Sequence, residues 1–426
     1  MGLMRALMQM MQISLAVALL QSADASAQGR PTAGPVVAIG GALRDDNEAV
    51  WGRVVQLAGG PGARFVVLAT ASADPDRSAA RIVANLQRRG ALAEHLRVVP
   101  GLPGDGLAAA VQDPASIARI DAAQGVYFSG GAQARIVDAL RPGGRDSPLL
   151  LALHALHRRG GVVAGSSAGA AVQSGWMFRD PPDVLTLMQA PLREGRDIDR
   201  GLGFLPPQIL IDQHLVRRGR FARMLALMAA RALPLGLGVE EDSAVLVQGE
   251  TAEVLGTRGV LVADMAELAE PAGSAPLAAR GVRLHWLQPG DRFDLATRTP
   301  SPAPGTATSQ RLDPHAPGFR GEHPARAFYA DLLGENVVVN AMERLVDSPA
   351  QEAFGLVFDA DPRAVRPQAD PGFEFRFYKS AQTEAWRSVG AADHSVFSVM
   401  LDVRPVRITQ PLVRPWPGAD GAAPAP

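Results

Sequence analysis

Short apolar runs that alternate with amphipathic segments constrain this chain more than any other feature of its sequence. The first of these runs are PVVAIG at 35–40, FVVLAT at 65–70, GVYFS at 125–129 and GVVA at 161–164. Such runs suit strands that are buried on both faces, and the amphipathic stretches at 46–58 and 76–89 are typical of helices. Strands and helices in alternation predict an α/β fold with a mostly parallel sheet and helices on both faces.

Composition excludes several classes of protein. The chain has 426 residues, of which 47% are hydrophobic and 20% charged, so intrinsic disorder is excluded. Its net charge of −1 creates no general attraction to nucleic acid. The absence of cysteine removes disulfides, thiolate nucleophiles and cysteine-ligated metals. We expect no nucleic-acid partner, no metal and no cofactor.

The first 27 residues have the pattern of a secretory signal peptide. Arg5 precedes an apolar stretch at 13–20, and the segment ends in Ala25-Ser26-Ala27. The apolar stretch is short for a bilayer-spanning helix, which needs about 20 residues. The sequence predicts cleavage near Ala27, a secreted or periplasmic location and no stable membrane anchor.

A change of composition near residue 299 divides the rest of the chain. Residues 28–298 carry the α/β pattern and form the predicted main domain. Residues 299–318 are rich in Pro, Ser, Thr and Gly, which is typical of a linker. Residues 319–426 contain a helix-like stretch and alternating strand-like runs, and they predict a small α+β extension whose role the sequence does not indicate.

The segment Gly165-Ser166-Ser167-Ala168-Gly169 has the form G-x-S-x-G and follows a predicted strand directly. A sharp turn from strand to helix needs small residues, and it raises the central serine above the sheet. Ser167 is therefore the candidate nucleophile. A second glycine-rich turn, which includes Gly131, also follows a strand and could supply N–H groups to an oxyanion.

A serine nucleophile needs a base, and His214 is the best-placed of the eight histidines. It ends the run QILIDQH, in which an apolar strand delivers Asp212, Gln213 and His214 at its carboxyl end. The acid that would orient this histidine is less certain from sequence. Candidates are Asp180, Asp183, Asp197, Asp199, Asp212, Glu240, Glu241 and Asp242, and spacing alone does not choose among them.

Arginines crowd the segment after His214. Arg217, Arg218, Arg220 and Arg223 precede or begin an apolar helix, where the helix dipole disfavours positive charge. A local rule broken in this way often marks a functional site. Guanidinium groups bind carboxylates in a bidentate manner, so the arginines indicate an anionic substrate.

Seven motifs in collinear order over residues 35–296 resemble peptidase family S51, the family of the cyanophycinases and aspartyl dipeptidases. The motifs are GGAQ at 130–133, GSSAGA at 165–170, GLGFL at 201–205, IDQH at 211–214, RGRxxR at 218–223, GLGVEED at 236–242 and LQPGDRFD at 287–294. The resemblance implies a flavodoxin-like sheet related to class I glutamine amidotransferases.

The resemblance also implies roles for individual residues. Ser167 would be the nucleophile, His214 the general base and Glu241 its orienting acid, with Asp183 kept as a second candidate acid. The N–H groups of Gly131 and Ala168 would form the oxyanion hole. Residues matching positions that hold a substrate of aspartate and arginine units are Gln133, Asp212, Gln213, Arg218, Arg220 and Arg223. The implied reaction is hydrolysis of cyanophycin, multi-L-arginyl-poly-L-aspartate, to β-Asp-Arg dipeptides through an acyl-enzyme.

Three alternatives follow from the sequence. An aspartyl or isoaspartyl dipeptidase would use the same three residues with a narrower groove. An α/β-hydrolase esterase is suggested by G-x-S-x-G alone, although that fold places its acid before its histidine. A non-catalytic amidotransferase-like binding module is the third, and the presence of both Ser167 and His214 disfavours it. A homodimer is compatible with each of these.

Overall fold

The computed structural model describes residues 33–101, 106–270, 272–307, 311–324, 328–359, 371–387 and 394–408. The predicted signal peptide lies outside the described residues. Within the ranges just given, the helices all lack the combination of length and apolar character that crossing a bilayer requires.

Among the described residues the strands outnumber the helices, and they form two large sheets and one small two-stranded sheet. In chain order the strands are β1 (Val36–Ile39), β2 (Arg64–Leu68), β3 (Leu92–His95), β4 (Gly125–Phe128), β5 (Val162–Ser166), β6 (Trp176–Phe178), β7 (Ile198–Arg200), β8 (Ile209–Gln213), β9 (Leu235–Val239), β10 (Ser243–Gln248), β11 (Thr251–Gly256), β12 (Val260–Asp264), β13 (Gly273–Ser274), β14 (Leu277–Leu287), β15 (Arg292–Asp294), β16 (Thr299–Ser301), β17 (Arg311–Leu312), β18 (Phe328–Tyr329), β19 (Glu352–Val357), β20 (Gly372–Arg387) and β21 (His394–Val406).

The helices lie mostly between the early strands. They are α1 (Glu48–Leu57), α2 (Pro75–Arg88), α3 (Gly106–Ala110), α4 (Pro114–Ala122), α5 (Gln133–Leu140), α6 (Pro148–Arg158), α7 (Ala168–Ala171), α8 (Val184–Gln189), α9 (Phe221–Arg231) and α10 (Val337–Val346).

The first sheet contains the predicted α/β unit. Its strand order is β16-β15-β11-β10-β1-β5-β4-β2-β3, and the pairs from β1 to β3 along this order are parallel. Alternate residues of β1 enter different cores: Val36 and Ala38 pack with α4, α5 and α6, whereas Val37 and Ile39 pack with α1 and α2. Helices on both faces of a parallel sheet confirm the predicted α/β class.

The second sheet has the order β18-β19-β20-β21-β14-β12-β9-β8, and β8 and β9 form a parallel pair within it. Ile209 and Ile211 of β8 pack in the same core as the first sheet, while Leu210 packs toward α9. One face of the second sheet therefore covers the first sheet. The carboxyl ends of β1, β5, β8 and β9 meet where the two sheets adjoin.

The strands that follow residue 318 complete the second sheet. β21 pairs with β14 in antiparallel fashion, with Ala279 opposite Val403 and Trp286 opposite Val396. The predicted linker also contains regular structure among its described residues, because β16 pairs with β15 and β17 pairs with β20. Backbone hydrogen bonds to neighbouring strands hold these two short segments, and Leu312 of β17 is buried in the core of the second sheet.

Candidate active site

Ser167 occupies a strained turn between β5 and α7. Its backbone has φ 55° and ψ −112°, a conformation that residues other than glycine rarely adopt. Its N–H donates to the carbonyl of Ile39 on β1 at 2.9 Å, which fixes the turn to the neighbouring strand. Strain of this kind, held by the surrounding sheet, is what the G-x-S-x-G pattern predicts.

The two glycines of the motif are required by close backbone contacts. A Cβ on Gly165 would lie 2.2 Å from the carbonyl oxygen of Gly169, and a Cβ on Gly169 would lie 2.3 Å from that of Phe128. Neither oxygen belongs to a flexible side chain, so both contacts exclude a larger residue. Close packing therefore requires both glycines of the motif. The turn that they form directs the Ser167 hydroxyl toward the adjoining sheet.

His214 follows β8 directly and faces Ser167 across the junction of the sheets. Its Nε2 lies 2.8 Å from the Oγ of Ser167. Its backbone also has a positive φ, 52°, and its N–H donates to the carbonyl of Gly40 at 3.0 Å. A Cβ on Gly41 would lie 2.2 Å from the imidazole Cε1, so the histidine ring packs directly on a bare backbone.

Glu241 contacts the other side of the imidazole. Its Oε1 lies 2.5 Å from His214 Nδ1, which places serine, histidine and glutamate in one hydrogen-bonded line. Asp183, the second candidate acid, instead caps helix α8: its carboxylate accepts the N–H of Thr186 at 2.9 Å and the Thr186 hydroxyl at 2.7 Å. Those hydrogen bonds outweigh partial burial and lower the pKa of Asp183. The geometry therefore favours Glu241 as the orienting acid.

The neighbours of Glu241 have structural tasks. Glu240 is buried, and its carboxylate accepts the N–H groups of Val216 at 2.7 Å and of Arg217 at 3.0 Å. Asp242 accepts the side-chain amide of Asn47 at 2.8 Å. The three consecutive acids lie where the chain crosses from β9 in the second sheet to β10 in the first, so each faces a different part of the protein.

Burial is the main influence on the titration of His214. It lowers the pKa of the imidazole below its usual range, and the positive charges of Arg218 and Arg220 lower it further, against the opposing effect of Glu241. A lowered pKa keeps the imidazole neutral near pH 7. A neutral Nε2 can accept the serine proton, which is the state a general base requires.

The predicted oxyanion donors lie beside Ser167. Ala168 is the first residue of α7, a position at which the backbone N–H has no partner within the helix. Gly131 has φ 141°, and a Cβ there would lie 2.0 Å from the carbonyl oxygen of Ala71. The turn at Gly131 can therefore pack against the backbone at Ala71 only because it carries no side chain.

A cavity of about 530 Å³ opens over Ser167 and His214. Of the other predicted residues, Gly131 and Arg218 line it. Its wall also includes side chains that the sequence analysis did not select, namely Trp51, Arg81 and Tyr127. Trp51 and Tyr127 stack with ring centroids 5.3 Å apart. The signal that could have found this wall was the position of Tyr127 near the end of a predicted strand.

The arginines after His214 divide into two groups. Arg217 forms an ion pair with Glu335 at 2.7 Å, and Arg223 forms one with Asp212 at 2.5 Å. Arg218 is half exposed and lines the cavity, with its Nε 3.9 Å from Glu241. Residues 215–220, which we call the arginine loop, thus direct only part of their positive charge toward the nucleophile.

Asp212 and Arg223 bind each other and are both buried. Two hydrogen bonds join them, from Arg223 Nε to Oδ2 at 2.8 Å and from Nη2 to Oδ1 at 2.5 Å. Neither residue is among those that line the cavity. Their hydrogen bonds to each other hold both side chains inside the protein, and the role of Asp212 and Arg223 as substrate contacts stays a prediction.

The remaining predicted binding residues lie behind the cavity wall. Gln213 is buried, and both its backbone carbonyl, at 3.0 Å, and its side-chain oxygen accept hydrogen bonds from Arg220. Burial lowers the pKa of Arg220 to about 10, and the nearby charges of Arg223 and Arg218 act in the same direction. Gln133 donates its amide to the carbonyl of Phe178 at 2.8 Å. Of these residues, Arg220 adds positive potential to the site.

Gly41 and Glu240 are supporting residues whose roles the sequence did not reveal, although Glu240 was named there as a candidate acid. Gly41 belongs to a glycine pair that follows β1, which is where an α/β sheet places its ligands, so its position was a usable signal. Glu240 had no such signal, because its partners lie in another segment of the chain. No group of three or more His, Asp or Glu side chains among the described residues is arranged to hold a metal.

Comparison with known proteins finds several relatives that share one name. The protein is 36% identical over 193 residues to "Cyanophycinase" of Trichormus variabilis, a match that covers 44% of this chain and 62% of the relative's length. It is 33% identical over 276 residues to "Cyanophycinase" of Synechococcus elongatus, covering 62% of this chain and 80% of the relative. A third "Cyanophycinase", from Geminocystis herdmanii, is 29% identical over 273 residues and is covered to 95%.

Among solved structures, a peptidase from an acI-B1 Actinobacterium aligns with a TM-score of 0.45 and 17% identity, over 62% of this chain and 98% of that one. The sequence model of peptidase family S51 matches residues 36–255, just over half of the chain. That range contains Ser167, His214 and Glu241. The chain therefore belongs to peptidase family S51.

Proposed function

We propose that this protein is a secreted serine-type exopeptidase that hydrolyses cyanophycin to β-Asp-Arg dipeptides through an acyl-enzyme. The observation that supports it most strongly is the line from Ser167 through His214 to Glu241, with separations of 2.8 Å and 2.5 Å, beneath a cavity lined by Arg218. The relatives named cyanophycinase supply the substrate class. The chain spans only 62% of the length of the relative from Trichormus variabilis, and the substrate is therefore proposed here and not taken over from that relative.

The geometry permits a two-step hydrolysis. The Ser167 hydroxyl attacks the scissile carbonyl while its proton moves to Nε2 of His214, and Glu241 stabilises the imidazolium that forms. The N–H groups of Gly131 and Ala168 stabilise the oxyanion. The imidazolium then protonates the leaving amine, which leaves an acyl-enzyme on Ser167. Water activated by His214 hydrolyses this ester and restores the enzyme.

Positive charge near the nucleophile suits a substrate rich in carboxylates. Arg218 is half exposed at the cavity, and Arg220 adds a buried charge behind it. Asp212 is paired with Arg223. We assign carboxylate recognition to Arg218.

The decisive experiment is incubation of the purified protein with cyanophycin granules, followed by identification of the soluble products. Release of β-Asp-Arg by the wild-type protein, and its loss in Ser167→Ala, would support the proposal. Intact granules together with cleavage of short β-aspartyl or α-aspartyl peptides would instead favour a dipeptidase, which uses the same residues.

Secretion rests on the sequence of residues 1–27 alone. An exported enzyme would act on polymer released by other cells, since cyanophycin is an insoluble intracellular store. Expression of the full chain in a Gram-negative host, with N-terminal sequencing of the exported product, tests this part: a mature protein that begins near Gln28 is expected. Size-exclusion chromatography with light scattering tests the homodimer.

A further inference from the structure

The segment after residue 318 contacts the arginine loop through residues 333–336. The Asn336 N–H donates to the carbonyl of Val216 at 3.4 Å, and Glu335 Oε1 lies 2.7 Å from Nη1 of Arg217. These two contacts hold the loop at its first turn, immediately after His214.

A third contact lies at Gly219. A Cβ on Gly219 would be 2.1 Å from the carbonyl oxygen of Leu333, so the two backbones touch. Gly219 has φ 59° and is buried. Beyond the loop, the ring of Phe221 lies 6.2 Å from that of Phe375 on β20. Contacts to residues 333–336 and to β20 therefore extend from the start of the loop into α9.

The loop residues that contact residues 333–336 differ from those that face the site. Val216, Arg217 and Gly219 contact residues 333–336, whereas Arg218 lines the cavity and Arg220 bonds to Gln213. On the inner side, the Glu240 carboxylate holds the N–H groups of Val216 and Arg217. The loop is therefore held on one side by Glu240 and on the other side by residues 333–336.

We propose that residues 333–336 position the arginine loop, and with it Arg218, for substrate binding. A loop ordered before the substrate arrives avoids the entropy of ordering it on binding. Glu335, Leu333 and Asn336 are positioning residues in this proposal, because none of them lines the cavity. The kinetic part of the proposal rests on the proposed function, while the ordering of the loop does not.

Gly219→Ala tests the contact with Leu333. The added methyl must push the two backbones apart, so we expect faster amide hydrogen exchange in peptides covering residues 215–223, and a KM for cyanophycin raised severalfold with kcat changed by no more than about twofold. Gly249→Ala is the matched control. Gly249 has the same φ, 59°, but a Cβ there meets nothing within 4 Å.

Glu335→Gln tests the ion pair. The matched control is Glu352→Gln, because Glu352 pairs with Arg376 at the same 2.7 Å and with similar exposure, away from the site. We expect Glu335→Gln, but not Glu352→Gln, to raise exchange in the loop and KM. The charge reversal Glu335→Arg combined with Arg217→Glu should restore both, which a general loss of stability would not produce.

The outcomes separate the two proposals. If Gly219→Ala and Glu335→Gln match their controls in hydrogen exchange and in KM, the positioning role is wrong. If the wild-type protein releases no β-Asp-Arg, the proposed function fails, and hydrogen exchange alone still decides whether residues 333–336 order the loop. Truncation of the segment is not a suitable test, because removal of β21 would expose β14 in the middle of the second sheet.

Discussion

Ser167 and His214 lie in two turns with similar positive φ angles and different means of support. Both residues have a φ between 50° and 60° at the carboxyl end of a strand, β5 and β8 respectively. The serine turn is held chiefly by glycines within four residues of Ser167 and by neighbouring strands of its own sheet. The histidine turn depends on Gly40, Gly41 and Glu240, and its loop contacts residues 333–336. One turn is encoded locally and the other is assembled from distant parts of the chain.

The largest effect is expected at the acid of the histidine turn. Glu241→Gln removes the charge that stabilises the imidazolium, and kcat should fall by about 10⁴-fold, as for comparable triad acids. Asp183→Asn is the control, because the Asp183 carboxylate caps α8 through Thr186 and is not part of the hydrogen-bonded line of Ser167, His214 and Glu241. Steady-state kinetics of both variants decide the matter; the reverse order of effects would reject Glu241 as the acid.

A smaller effect is expected from Gly41→Ala. The methyl group would meet the imidazole at 2.2 Å and displace it, and a misplacement of about 1 Å costs roughly 10²-fold in kcat. Gly59→Ala is the matched control, because Gly59 has φ 111° against 116° for Gly41 and a Cβ there meets nothing within 4 Å. Equal kinetics of the two variants would show that the ring does not depend on this contact.

The serine turn is tested by Gly169→Ala. The added Cβ would meet the carbonyl oxygen of Phe128 at 2.3 Å, and overpacking of this kind costs about 1–3 kcal/mol of stability. We expect a lower Tm and slower labelling of Ser167 by a fluorophosphonate. Gly175→Ala, where a Cβ meets nothing within 4 Å, should change neither. Labelling at the wild-type rate would mean that the turn tolerates a larger residue.

The last prediction concerns Arg218. Arg218→Gln removes a carboxylate-binding group worth about 1.5–3 kcal/mol, so KM should rise by about tenfold or more. It also removes a positive charge that lowers the pKa of His214. The base must be neutral, so the rate falls as pH drops through that pKa. The wild-type acid limb of kcat/KM should therefore lie below pH 6.5 and move to higher pH in Arg218→Gln.

The control for the pH shift is Arg376→Gln, because Arg376 pairs with Glu352 away from the site. Its acid limb should stay at the wild-type position. If the acid limb of the pH profile does not move in Arg218→Gln, the charge of Arg218 does not influence the pKa of His214, and Arg218 has a role in binding alone.

The difference between the two turns also explains what could be predicted from sequence. G-x-S-x-G after an apolar run predicts the serine turn, because strain and support lie within a few residues. Spacing cannot choose Glu241 over Glu240 or Asp242, because these acids lie where the chain crosses between two sheets. The pairing of Asp212 with Arg223 was missed for a related reason: the charge cluster at α9 indicates a site, and only the fold shows which charges are already neutralised.

The placement of β21 next to β14 has a consequence for folding. Partners such as Ala279 and Val403 are more than a hundred residues apart in the chain, so this pairing closes a long loop and raises the contact order. A nascent chain that has emerged only as far as β15 contains Ser167, His214 and Glu241 but carries β14 with an unpaired edge. The second sheet can therefore close only after β21 has left the ribosome. We expect that labelling of Ser167 in ribosome-stalled chains of increasing length would show reactivity appearing late in synthesis.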